Sequence, residues 1–375
     1  MAVMHHTSEF LLGQCARYPE LRPLDLLNSL RQSAFGCGSF PADEAERLQS
    51  PREKASVSLF APISPAIEPL DGDYCRVHLQ YLQTSTLSIK TLFYLSALSA
   101  REPSDDGWDT LADSLACLLA LAEEGKLPFS PGETEEAVKC WRAAGYPACR
   151  HSEEFYRAYA PAYCVVRREY ARLLPLLAKI DRLLAEKPRI IVALEGGSAA
   201  GKSTAAALLE KIYDCSVFHM DDFFLRPEQR TKARLTEPGG NVDWERFQEE
   251  VLSPLTRGET VRYRRYNCHT QTVEAPKTIV PRALNIVEGV YSMRPELAPA
   301  YDLSVFLSVS PKLQHIRIEK RNDPDMQAMF FVLWIPLENS YFDALDVRSR
   351  CDLILESDVD CPGRIKSPAS AGPAH

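Results

Sequence analysis

Apolar residues recur three and four positions apart from Ser8 to about Lys187, most regularly over 24–35, 86–101, 108–124 and 161–186. This spacing gives a helix one apolar face. Ser130, Pro131 and Glu133 mark one helix start: a hydroxyl accepts from a first-turn amide, a proline stands where no amide is needed, and a carboxylate reaches back. Gly145 can close that helix. Residues 43–73, broken by several prolines, read as loops. After Pro188 the period changes. Short apolar runs at 189–194, 215–219, 284–287, 303–307 and 353–355 read as buried strands, with a helix over 204–212. Strands alternating with helices predict a parallel sheet covered on both faces. The expected fold is therefore an α/β domain over 188–357, preceded by an all-α domain over 1–187. Residues 358–375, rich in Pro, Gly, Ser and Ala, read as a disordered tail.

Composition narrows the class without naming it. A chain of 375 residues favours two domains, and 45% hydrophobic with 25% charged residues is ordinary globular usage. A net charge of -8 leaves room for a local basic patch but gives no electrostatic reason to expect a nucleic-acid partner, and no such partner is expected. The first ten residues lack the basic-then-apolar pattern of a secretory leader. The longest apolar runs, 115–122 and 329–337, fall short of the ~20 residues that cross a bilayer. Eleven cysteines without a CxxC pair or a Cys/His cluster point to reduced thiols, neither a disulfide framework nor a zinc site. A cytoplasmic protein with no membrane partner is expected.

The chemistry concentrates just past the midpoint. Gly196-Gly197-Ser198-Ala199-Ala200-Gly201-Lys202-Ser203 fits G-x-x-x-x-G-K-[ST] between a strand and a helix, where a P-loop has to lie. Its glycines let backbone N–H groups wrap phosphate, Lys202 reaches the β/γ oxygens, Ser203 offers a hydroxyl to Mg²⁺, and Thr204 continues the loop into the helix. No [NT]-K-x-D or LSGGQ sequence accompanies it, which separates the chain from regulatory GTPases and ABC-type ATPases. Asp221 and Asp222 follow the second strand. Neighbouring strand ends of a doubly wound sheet face one crevice, so Asp221 would stand beside the γ-phosphate, able to take a proton from an acceptor hydroxyl and help hold metal. Glu288 ends the next strand, where P-loop enzymes place an acid on Mg²⁺ or its waters. Arg317, Lys320 and Arg321 share one helical face where a lid would close. Phe223, Phe224 and Tyr266 either stack on an acceptor ring or pack in the core. Together these residues imply an ATP- and Mg²⁺-dependent kinase of a small hydroxylated metabolite.

The segments GGSAAGKST, HMDDFF, NVDWERF, RYNC, IVEGVY and RIEKRN resemble, in order, the cradle, catalytic aspartate, substrate segment, tyrosine segment, acid strand end and lid of the uridine kinase/phosphoribulokinase family. The resemblance runs over about 189–356. It implies Asp221 as general base, Ser203 and Glu288 on the metal side, Arg317 and Arg321 in the lid, Asp243 on the sugar hydroxyls and Tyr266 lining the acceptor pocket. Asp221-Asp222-Phe223-Phe224 is more similar to nicotinamide riboside kinases than to the D-S-F-Y of pyrimidine nucleoside kinases. The family histidine that reads the base falls near Gln271, with His269 two residues away; His269 is either a base reader or a plain loop residue.

Other segments stay open. Residues 149–170, where four tyrosines alternate with arginines and His151, either form a groove for an anionic ligand or pack as helices. Residues 329–342 pack the lid region against the sheet or form a contact in a homo-oligomer. An alternative function is a nucleotide-gated binding protein, in which ATP on the loop governs how the helical half engages a partner.

Overall fold

The computed structural model describes residues 2–36, 65–100, 104–268 and 270–357. The expected tail, most of the loop stretch 43–73 and His269 lie outside these residues. The chain divides into two compact units that part between Pro175 and Leu176, earlier than the boundary expected near 187. Helix Leu174–Glu186, continuous in its own hydrogen bonding, runs through that point.

The first unit is helix-dominated. Its helices α1 (Ala2–Arg17), α2 (Pro23–Phe35), α3 (Ile89–Ser99), α4 (Asp105–Glu123) and α5 (Pro131–Ala143) follow the apolar period read from the sequence. Leu11, Leu26, Leu30, Leu115, Leu118 and Trp141 fill one core between them. The start of α5 is the expected capping box: the Glu133 amide donates to Ser130 Oγ, and the Ser130 amide donates to the Glu133 carboxylate at 3.0 Å.

The unit is not wholly α. Strands β1 (Ile67–Pro69), β2 (Tyr74–His78) and β3 (Tyr163–Arg167) form an antiparallel sheet in that order. This corrects two expectations, a loop through 65–73 and a single helix over 161–186. Every residue of β2 is buried, so the strand shows neither the alternation of a half-exposed sheet nor helical spacing. In Tyr-Cys-Val-Val-Arg of β3, ladder pairing to β2 decides the conformation. Segment 149–170 is likewise absorbed by packing: Tyr159 Oη accepts from the Glu20 amide, and Tyr163 Oη meets His151 Nε2 at 2.7 Å.

A buried polar network occupies the sheet side of this unit. Glu68, Arg76, His78 and Asp25 are each at most 3% exposed. Arg76 donates to Gln32 and Ser29, lies 3.6 Å from Glu68 and covers the Tyr163 ring at 4.8 Å. Glu68 accepts from Gln14 and Tyr18 and meets His78 Nε2 at 3.2 Å. Burial alone would raise the Glu68 pKa; the His78 contact, the Arg76 charge and the Gln14 bond outweigh it and hold the carboxyl at about 2.

The second unit carries a five-stranded parallel sheet flanked by helices. Its strands are β4 (Ile190–Glu195), β5 (Cys215–His219), β6 (Leu284–Glu288), β7 (Leu303–Ser308) and β8 (Leu353–Glu356), in the order β8-β7-β4-β6-β5. All five strands stand where the sequence placed them, within two residues. Ala193, Phe218, Val287 and Phe306 of the sheet pack with Phe223, Phe247 and Tyr341 in one core. The register sets Leu194 of β4 opposite Glu288 of β6, and Glu288 opposite His219 of β5. Three adjacent strands, β4, β6 and the edge strand β5, therefore end level, on the side where parallel α/β sheets bind ligand.

Because Glu68 is held below its unfolded value, its stabilising contribution is complete above about 4.5 and is lost as pH falls from there towards about 2. Glu68→Gln should cost about 3–5 kcal/mol at pH 7, by leaving Arg76 without its buried partner. It should also flatten the decline of the urea midpoint between pH 4.5 and 3, which denaturation curves at stepped pH will read.

Candidate active site

The loop from Glu195 to Ser203 leaves β4 and enters helix α6 (Lys202–Ile212). Gly196 has φ +144°, and a β-carbon there would strike the Leu307 carbonyl of β7, so the first position of the cradle admits only glycine. Lys202 folds back over the loop, donating to the carbonyls of Gly196 (2.8 Å) and Gly197 (3.0 Å). An ammonium has three donors, and two are thus used to shape the loop. Ser203 and Thr204 are exposed in the first turn of α6, where helix amides point at an anion.

Glu288, at the end of β6, faces this turn. Ser203 Oγ lies 3.2 Å from both of its carboxylate oxygens, and His219 Nδ1 lies 2.6 Å from one of them. That hydrogen bond, stronger in effect than the imidazole's desolvation, raises the His219 pKa. His219 was not singled out in the sequence, although it stands two residues before Asp221 at a strand end. Asp221 follows in a short 3-10 turn (Met220–Phe223) and is exposed to solvent. The protein around it still desolvates the carboxyl, and with Glu288 and Asp222 it raises the pKa against the opposing charges of Lys202 and His219. Asp222 points the other way. It is buried, accepts from Tyr263 Oη at 2.9 Å and pairs with Arg265 at 3.2 Å, which separates its role from that of Asp221.

Hard oxygen donors at Ser203 and Glu288, with Asp221 in the same charge cluster, fit Mg²⁺. That ion takes one or two protein oxygens and fills its shell with phosphate and water. Among the described residues no three His, Cys, Asp or Glu side chains form a self-contained metal cage.

The segment expected to close as a lid is helix α7 (Pro311–Arg321), followed by helical turns through Pro324–Met329 and a π turn Phe330–Trp334 into helix α8 (Ile335–Ala344). Pro336 has no amide to give to the preceding turn, and the widened π turn takes up that defect. Arg317 reaches the loop, donating to the Ala199 carbonyl at 2.9 Å. Arg321 does not; it lies over the Phe330 ring at 5.6 Å, and Lys320 is exposed. In segment 329–342 the second half packs as expected, with Tyr341 fully buried and Phe342 against Phe306. Its first half does not: Met329, Val332 and Leu333 are exposed.

On the acceptor side the structure separates the expected residues. Phe223 is a core residue, fully buried between Phe247 and Tyr263 with Arg246 over its ring, so the stacking role is corrected to packing. Tyr266 is 1% exposed, and its hydroxyl accepts from Arg230 at 3.2 Å. Asp243 is buried and caps the turn Trp244–Phe247; it accepts from the Arg246 amide at 3.3 Å and from Gln229 Nε2 at 2.9 Å. It also lines a cleft of about 620 Å³ with Arg226, Arg246, Glu250 and Arg264.

Two acids that the sequence reading passed over also shape the site. Glu195 gathers the Gly196 and Met293 amides and the Ser292 and Tyr341 hydroxyls; burial pushes its pKa up to about 7 despite these bonds. Glu338 of α8 accepts from both the amide and the hydroxyl of Ser198. The only sequence signal for Glu195 was its place before the first loop glycine, and Glu338 lay inside an apolar segment.

A parallel sheet with level strand ends, a P-loop with its lysine, two flanking acids and a helix whose Arg317 meets the loop are the arrangement of a P-loop kinase domain. Residues 191–325 match the Phosphoribulokinase / Uridine kinase family. Among solved structures, a possible uridine kinase from Bacillus stearothermophilus is similar at 21% identity, over 48% of this chain and 98% of that one, with a TM-score of 0.35. A candidate fructose transport system kinase from Silicibacter sp. TM1040 is similar at 24% identity, over 47% and 97%, with a TM-score of 0.38. None of the curated proteins matches the chain. Among the described residues no helix is long and apolar enough to cross a membrane.

Since Asp243 caps a turn and anchors Gln229 and Arg246, Asp243→Ala should cost roughly 1–2 kcal/mol from the lost cap alone. Urea denaturation of the variant measures that cost separately from any effect on acceptor binding.

Proposed function

We propose that the second unit transfers the γ-phosphate of ATP to a hydroxyl of a small metabolite, with Mg²⁺, and that a nucleoside is the first acceptor to test. The observation that carries this reading is the register Leu194–Glu288–His219, which brings the loop, the metal-side acid and the Asp221 turn to one edge. In the proposed reaction Asp221 orients the acceptor hydroxyl and takes its proton as the oxygen attacks the γ-phosphorus; the bond to the β-γ bridging oxygen breaks and ADP leaves. Lys202 and Arg317 place positive charge against the phosphates, and Ser203 and Glu288 would hold the ion. Bound Mg²⁺ would neutralise charge building on the transferred group. Asp243 acts at the acceptor pocket through the cleft it lines, and Tyr266, buried with its hydroxyl on Arg230, supports the acceptor side from within the fold. The raised Asp221 pKa suits a base that must hold a proton during transfer, since an unperturbed aspartate is a poor acceptor at neutral pH.

ADP release, screened over nucleosides, vitamins and sugars with mass identification of the product, tests the reading. One acceptor should raise ADP release well above the hydrolytic background, and excess EDTA should abolish the signal. Asp221→Asn should keep ATP binding and lower turnover by about 10²- to 10⁴-fold. Unchanged turnover in that variant would remove Asp221 from the base role, and a panel with no active acceptor would remove the kinase assignment.

A further inference from the structure

Ser198, at the crown of the loop, gives every polar group it has to the helices that follow β7. Its amide donates to Glu338 Oε2 at 2.8 Å and its hydroxyl donates to Glu338 Oε1 at 2.5 Å. Its carbonyl accepts from Gln314 Nε2 at 2.8 Å. The next carbonyl, Ala199, accepts from Arg317, one helical turn beyond Gln314 on α7. Tyr341, one turn beyond Glu338 on α8, donates to Glu195 at the base of the loop at 3.1 Å. Two helices thus grip both ends of the segment that has to wrap phosphate.

Glu338 stands out because an acid is an unfavourable neighbour there. It is 5% exposed, and it shares the electrostatic surroundings of Lys202 and Asp221. A buried carboxylate beside a polyphosphate site adds repulsion to desolvation. The compensation visible in the fold is geometric: two oxygens meet one amide and one hydroxyl of the same residue, the bidentate pattern that fixes orientation as well as distance.

We propose that Glu338 is a positioning residue of the nucleotide site: it fixes Ser198 on α8 and so presets the 197–201 turn for phosphate. This rests on the reading that the loop binds ATP. The bond pattern, not the charge, does the positioning, because a glutamine can accept from the amide and donate to the hydroxyl in the same geometry.

The test is calorimetric titration of the full chain with ADP and Mg²⁺, alongside thermal melting of each variant. Glu338→Ala should weaken ADP binding about tenfold, since it loses both charge-assisted bonds to Ser198 while relieving a repulsion of the phosphates, and Glu338→Gln should restore binding to within about threefold of the parent. A Glu338→Ala protein that binds ADP within about twofold of the parent overturns the proposal. So does a Glu338→Gln protein as weak as the alanine variant, or an alanine variant that binds more tightly. If Glu338→Ala lacks a cooperative melt, Ser198→Ala decides: it keeps the amide bond and loses the hydroxyl bond, so binding should weaken by roughly three- to fivefold, and undiminished binding overturns the proposal. Failure of the parent chain to bind ADP overturns the ATP reading and this one together, whereas a binding parent with an indifferent alanine variant overturns this one alone.

Discussion

The parallel ladder of β4, β6 and β5 holds the site together. Its hydrogen bonds fix Leu194, Glu288 and His219 in one row, and each residue that follows that row inherits its place from it. The loop leaves β4, Glu288 closes β6 beneath Ser203, and the Asp221 turn leaves β5. A one-residue slip in any pairing would turn each strand-end acid to the opposite face of the sheet. The buried run of each strand prevents that slip, because β4 and β6 have no exposed position along their length.

Around this row the charges balance locally. Glu288 is met by Ser203 and His219, Asp222 by Tyr263 and Arg265, Glu195 by two amides and two hydroxyls, and Glu338 by Ser198. Asp221 differs: it is solvent-exposed among these engaged acids. Neighbouring aspartates of one turn thus serve separate ends, the buried one tied into the core and the exposed one open to chemistry. The same economy appears in the lid, where Gln314 and Arg317 face the loop while Lys320 and Arg321, farther along the helix, do not.

The first unit solves a different problem. Its polar interior of Glu68, Arg76, His78, Asp25 and His151 is joined by hydrogen bonds among groups from α2, the sheet and the 149–170 segment, with His78 Nδ1 left over. Such a network is costly unless nearly complete, and its near-completeness makes the small sheet a fixed part of the unit. Of the 149–170 side chains for which the sequence left a ligand groove or packing open, His151 and Tyr163 go into building this interior.

What the sequence determined by itself was whatever depends on local period and local chemistry. The five strands of the second unit, the capping box at Ser130, the cradle from Gly196 to Ser203 and the strand-end acids Asp221 and Glu288 were all legible there, because short-range spacing dictates each of them. Tertiary structure decided the rest. β2 was hidden because a fully buried strand carries no alternation, and β3 because its pairing to β2 decides its conformation. Phe223 went to the core, and Asp243 and Tyr266 were drawn into hydrogen bonds, because the packing of the turn around them sets which faces stay open. His219, Glu195 and Glu338 became site residues only through partners distant in the chain: Glu338 meets Ser198 across 140 positions. No periodicity records a contact of that length, since it arises only when the sheet and its helices are assembled.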